Sequence, residues 1–142
     1  MTTIVYDHKN KTISWDSRQT GNSGEIKSDK VKKHRVINGV HFWIAGVVAD
    51  EELMIQHYFG ESPNLVPECN CFAFDSKILY RCGVSEQGVF WREPLVCNDG
   101  FGSGRVWALA ALDFGLDSKG AVKYAIKKDA FSGGKIHTME LK

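Results

Sequence analysis

Apolar and polar positions alternate along the chain in a pattern that predicts a strand-rich first third, a short helix, a meander, two adjacent helices and a closing strand. Residues 2–7 and 11–16 are short β-branched and aromatic runs around the turn-like His8-Lys9-Asn10, and they predict a hairpin that opens at the second residue. A second strand pair, 33–37 and 42–47, meets at Asn38-Gly39, a dipeptide suited to the positive φ angles of a two-residue hairpin turn. Asp50, Glu51 and Glu52 suit a first helical turn, the apolar residues up to Phe59 continue it, and Gly60 and Pro63 stop it. From Asn70 to Phe90 the runs 71–74, 77–80 and 88–90 are broken by Asp75-Ser76 and by 83–87, which reads as a meander. Val106 to Leu112 is rich in Ala and Leu, and 118–129 repeats Ala121, Val122, Ala125 and Ile126 at three- and four-residue spacing, so two helices follow. Ser132-Gly133-Gly134 ends the second of them, and 135–141 alternates as a strand. Strands at both ends with helices between predict an α+β fold of two packed antiparallel sheets flanked by helices.

The length, 142 residues, suits one hydrophobic core, and the chain reads as a single domain over 1–142. With 43% hydrophobic and 25% charged residues it is far from the polar bias of disordered chains. Eighteen basic residues against seventeen acidic ones leave a net charge of +1, which gives no general attraction for nucleic acid or a membrane surface. The start carries no basic segment followed by an apolar one, and no later stretch has the length of a membrane span, so a cytoplasmic protein is expected. Cys69, Cys71, Cys82 and Cys97 are expected to be reduced. Their spacing lacks the paired knuckles of a zinc ribbon, and they read as strand thiols rather than ligands, so neither metal nor cofactor is expected.

Several segments, in order, carry a resemblance. They are Thr2-Thr3-Ile4-Val5; Asp16-Ser17-Arg18-Gln19-Thr20; Ser28-Asp29-Lys30-Val31-Lys32-Lys33; Ala45-Gly46 leading to Ala49-Asp50; Gly102-Ser103-Gly104; and Asp129-Ala130-Phe131-Ser132-Gly133-Gly134. In this order and spacing the chain resembles the proteasome β-subunits and the bacterial HslV peptidase, N-terminal-nucleophile hydrolases built as a four-layer αββα sandwich. One departure is plain: the family places two long helices after its oxyanion glycine, whereas here one short helix ends near Gly60, a reduced central helical region.

The resemblance implies a threonine peptidase acting on polypeptides. Thr2, freed by removal of Met1, would be the nucleophile, because an N-terminal threonine carries both a hydroxyl and an amine that can take its proton. Lys33 matches the family's active-site lysine, whose charge would lower the pKa of that amine and stabilise the alkoxide, and Asp16 matches the aspartate that holds it. Lys32 is the rival by adjacency, and strand alternation would turn only one of the two inward. Ser103, Asp129 and Ser132 match the polar residues around the nucleophile, and Gly46 supplies an oxyanion N–H. The backbones of Thr20 and Val48 would pair with an extended substrate, and Gln19, Val31, Ile44 and Val48 would line its side-chain pocket. A ring-like homo-oligomer is implied, and an ATP-dependent unfoldase is admitted as a partner.

Other readings stand beside this one. By position alone Thr2 opens a strand, Ser103 caps a helix, and Asp129 and Ser132 satisfy loose backbone groups. The same fold can serve a non-peptidase amidase, or an assembly subunit that is silent if Met1 stays on. The local run Lys27, Lys30, Lys32, Lys33 and Arg35 is the one feature pointing to a nucleic-acid module, and the overall charge balance opposes it.

Overall fold

A computed structural model describes residues 2–142. The chain forms two compact units, one from the residues up to Lys33 together with Val96–Lys142, the other from His34–Leu95.

The first unit is built on the N-terminal hairpin. Strands β1 (Ile4–Asp7) and β2 (Thr12–Trp15) pair antiparallel from Ile4↔Trp15 to Asp7↔Thr12. Asp7 ties the turn between them, accepting from the Lys9 N–H at 3.1 Å and the Asn10 side-chain amide at 2.7 Å. Short strand β10 (Asp99–Phe101) pairs with β1, and β11 (His137–Glu140) pairs with β2, giving the order β10-β1-β2-β11. Because side chains alternate, Val5 and Ser14 face one side while Ile4, Tyr6, Ile13 and Trp15, all buried, face the other.

Helices α2 (Arg105–Asp113) and α3 (Ser118–Lys128) cover the Val5 side. Their inward positions are mostly small: Ala108, Ala111, Ala121 and Ala125 let the helices approach Val5, with Leu112 and Val122 filling the remainder. Each of those larger side chains contributes about 1.5–3 kcal/mol by burial. Asp117 caps α3 by accepting from the Gly120 N–H at 2.8 Å. A two-stranded ribbon, β3 (Gln19–Thr20) with β4 (Ile26–Ser28), completes the unit.

The second unit is a five-stranded antiparallel meander: β5 (His34–Ile37), β6 (Val40–Gly46), β7 (Cys69–Asp75), β8 (Ile78–Val84) and β9 (Phe90–Pro94), paired in chain order. Ile37 pairs with Val40, so Asn38 (φ 50°) and Gly39 (φ 79°) form the two-residue turn that the sequence predicts. Helix α1 (Glu51–Tyr58), entered through a 3-10 turn at Val48–Asp50, lays Met54 and Ile55 on Val40, Phe42, Ile44, Cys71, Ala73 and Cys82. Among the described residues it is the one α-helix between β6 and β7, the reduced helical region anticipated from the sequence.

The structure corrects the sequence reading in several places. Lys33, expected to open a strand over 33–37, lies before β5. The ribbon β3-β4 and strand β10 were not expected, and the strand expected over 88–90 runs instead from Phe90 to Pro94. No described helix is long and apolar enough to cross a membrane.

Candidate active site

Thr2 precedes β1, and the hairpin continues past its strands to hold it: the Asp16 N–H donates to the Thr3 carbonyl at 3.2 Å. From the other side the Gly104 N–H donates to the Thr2 carbonyl at 3.3 Å. Here glycine is required twice. Gly102 has φ +99°, and a Cβ on it would fall 2.0 Å from the Thr2 oxygen; a Cβ on Gly104 would fall 1.9 Å from Thr3 Oγ1.

Asp16 is fully buried, and a buried carboxylate must be paired and hydrogen-bonded. Its Oδ1 accepts from the Thr2 hydroxyl at 2.5 Å, the Thr3 N–H at 3.0 Å and Lys33 Nζ at 2.6 Å, and its Oδ2 from the Gly133 N–H at 2.9 Å. Lys33, with a side chain only 7% exposed, also donates to Thr2 Oγ1. Hydroxyl, ammonium and carboxylate thus form a closed triangle. Burial pushes the Lys33 ammonium below the ordinary lysine pKa, while the charge of Asp16 and the hydrogen bond to it work in the opposite direction. Of the two adjacent lysines, Lys33 is buried and Lys32 exposed. Strand alternation is not the cause, since both precede β5; the segment is held instead by the Val31 N–H donating to the Ser17 carbonyl at 3.0 Å.

A second network lies beside the first. Asp129 ends α3, and its Oδ2 accepts from the Ser103 hydroxyl at 2.5 Å and the Ser132 hydroxyl at 2.6 Å. Ser132 Oγ is also 2.7 Å from Thr3 Oγ1. The chain Ser103, Asp129, Ser132, Thr3 therefore ends on the neighbour of Thr2. Chemically, the first network offers a hydroxyl held against a cation, and the second a relay of hydroxyls on a carboxylate.

The remaining expected residues sit elsewhere. Gln19 and Thr20 form β3, with Thr20 opposite Ile26, and Val31 is half-buried. Gly46, Ile44 and Val48 belong to the second unit. Ile44 packs into the core under α1, and Val48 is exposed in the 3-10 turn. Gly46 ends β6 at φ +140°, where a Cβ would lie 2.5 Å from the Glu68 carbonyl oxygen, so its own unit already requires glycine there. Met1, whose removal is expected, lies outside the described residues.

Thr3, Gly104 and Gly133 escaped the sequence reading as site residues. Thr3 looks like any strand residue, and the role of a backbone N–H such as that of Gly133 leaves no side-chain signature. Burial raises the Cys69 thiol to about 12 and Cys71 well above its ordinary value, which keeps both protonated and unreactive. Among the described residues no group of three or more His, Cys, Asp or Glu side chains is arranged to hold a metal ion.

No protein-family model and no curated protein matches the sequence. Solved structures do match the fold. Eukaryotic HslV from Trypanosoma brucei is similar with a TM-score of 0.72 at 21% identity, over 97% of this chain and 98% of that one. BPH from Thiobacillus denitrificans, solved in complex with epoxomicin, is similar with a TM-score of 0.69 at 16% identity, over 99% of this chain and 100% of that one. The likeness is one of fold: this chain has the α+β fold of HslV, the proteasome-type architecture that its motifs resemble.

Proposed function

We propose that the chain is a threonine peptidase whose nucleophile is Thr2 once Met1 has been removed. The observation that carries this reading is the buried triangle of Thr2 Oγ1, Lys33 Nζ and Asp16 Oδ1. A threonine hydroxyl that merely opened a strand would have no reason to sit against a desolvated lysine.

In the proposed reaction the freed α-amine of Thr2 takes the hydroxyl proton as Oγ1 attacks the substrate carbonyl. Lys33 stabilises the developing alkoxide and disfavours protonation of the amine, and Asp16 holds Lys33 charged. The resemblance assigns reception of the tetrahedral oxyanion to the Gly46 N–H. Collapse passes the proton from the α-amine to the leaving amine, breaks the C–N bond and leaves an ester on Thr2. Water then attacks that ester with the amine again as base, releasing a carboxylate and restoring the hydroxyl. Ser103, Asp129 and Ser132 orient protons around the amine. Substrate is taken as an extended polypeptide along the backbone of Thr20, with Gln19 and Val31 beside its side chain. A ring-like homo-oligomer would keep such a centre away from bystander proteins, and an ATP-dependent unfoldase would feed it.

The test is a mass measurement before and after exposure to epoxomicin, the compound bound to BPH in its solved complex. The untreated protein is expected to lack Met1, and the treated protein to carry one adduct mapped to Thr2. Hydrolysis of peptides by a protein that keeps Met1, or an adduct on another residue during turnover, would remove Thr2 from the role.

A further inference from the structure

Between α3 and β11, residues 129–136 lie outside helix and strand, yet this loop supplies Asp129, Ser132 and the Gly133 N–H that meets Asp16. The loop has its own turn bonds, from the Phe131 N–H to Asp129 Oδ1 and from the Ser132 N–H to the Asp129 carbonyl, and Arg18 ties it to the segments around Asp16 and Lys33. Its Nη1 donates to the Ala130 carbonyl at 3.1 Å, while Nε and Nη2 donate to the two oxygens of Asp29 at 2.7 and 3.1 Å. The guanidinium lies directly over Gly133, where a Cβ would fall 2.4 Å from Cζ. Asp29 backs the same loop through its main chain, since a Cβ on Gly134 would fall 2.6 Å from its carbonyl oxygen. The Ser17 N–H, donating to the Gly133 carbonyl at 3.0 Å, closes the arrangement. One planar cation therefore joins the segment after Asp16, the segment before Lys33 and the loop after α3.

We propose that Arg18, oriented by Asp29, is a positioning residue for hydrolysis at Thr2, setting the 129–134 loop where Gly133 meets Asp16 and Ser132 meets Thr3. This rests on the reading of Thr2 as nucleophile. The fork of a guanidinium is what the geometry uses: three nitrogens donate in one plane to partners on two segments, and the flat group fits over a residue without a side chain. A lysine ammonium is a point charge and cannot span both. A partly exposed ion pair adds little stability by itself, so the consequence of the pair is geometric. Arg18 also acts on Lys33 through its charge. Asp16 and Asp129 favour the Lys33 ammonium, and Arg18 disfavours it.

Kinetics of Arg18→Gln, Arg18→Lys and Asp29→Asn, with Thr2→Ala alongside, test the proposal. Arg18→Gln is expected to lower kcat by about tenfold to a hundredfold, the scale of a misplaced catalytic group, with KM changed by no more than about twofold. Its alkaline limb is expected to move to higher pH, because Lys33 loses a neighbouring positive charge; Arg18→Lys is expected to leave kcat low. Asp29→Asn, which keeps the shape but weakens the fork, is expected to lower kcat in the same direction and decides the matter if Arg18→Gln does not fold. Wild-type kcat in a folded Arg18→Gln or in Asp29→Asn, or full rescue by Arg18→Lys, would overturn the positioning role. Wild-type activity surviving Thr2→Ala would instead overturn the Thr2 reading, which keeps the two failures apart.

Discussion

Lys33 is the residue at which opposing effects meet. Its burial favours the neutral amine and Asp16 favours the ammonium, with burial the larger influence. If hydrolysis needs the ammonium, activity falls as pH rises through a value below the 10.5 of an ordinary lysine. Stability moves the other way. Between that value and 10.5 the unfolded chain holds the proton that the folded chain has released, so this residue's contribution to stability grows with pH across the window. A pH–rate profile and urea midpoints over the same range check both signs, and parallel trends would contradict the account. Lys33→Ala is expected to lower hydrolysis by about 100- to 1,000-fold, as for loss of an electrostatic stabiliser. It also strands Asp16 without its cation, at about 3–5 kcal/mol of stability. Lys32→Ala, at an exposed position, is expected to leave both nearly unchanged.

At the scale of elements, the two-residue hairpin turns β5-β6 and β7-β8 of the second unit make a natural comparison. Asn38-Gly39 suits its left-handed φ angles; Ser76 (φ 52°) and Lys77 (φ 67°) adopt the same pair of angles with residues that resist them. Lys77→Gly is expected to stabilise the protein by up to about 1 kcal/mol, read from urea unfolding, because the strain removed outweighs the added freedom of the unfolded chain. A loss of stability would mean that Lys77 makes a contact that matters more than its backbone.

The same elements show what the sequence discloses and what it hides. Long periodic runs were legible: the hairpin of β1 and β2, the Asn38-Gly39 turn, α1, and the Ala-rich stripes of α2 and α3 all lie close to where their patterns put them. Gln19–Thr20, Ile26–Ser28 and Asp99–Phe101 were not, since strands of two or three residues are too short to display a period and form only because a partner strand is present. At the candidate site, the resemblance named Asp16 and Lys33 together with Thr2, and the three side chains lie in contact. The contributions of Gly133, Gly104 and Gly102 were not legible, because they consist of a backbone N–H and of space, which no residue type announces.

For the whole molecule, the expected assembly is a ring-like homo-oligomer, and sedimentation at micromolar concentration checks it. A monomer with full, Thr2-dependent peptidase activity would defeat that expectation.

The first unit is discontinuous: residues up to Lys33 are completed by Val96–Lys142, with the second unit between them in the sequence. β2, with residues 12–15, gains its neighbour β11 only from residues 137–140. Translated into the time course of synthesis, the ribosome delivers Thr2, Asp16 and Lys33 early and Gly133, Ser132 and Asp129 late. A contiguous meander can close as it emerges, but the discontinuous unit must wait for loop closure across the whole insertion. Until then Asp16 lacks its Gly133 donor and the hydroxyl relay does not exist. On the reading of Thr2 as nucleophile, a centre laid out in this order stays inert beside its own growing chain, and its two networks are complete only when residues 129–140 have arrived.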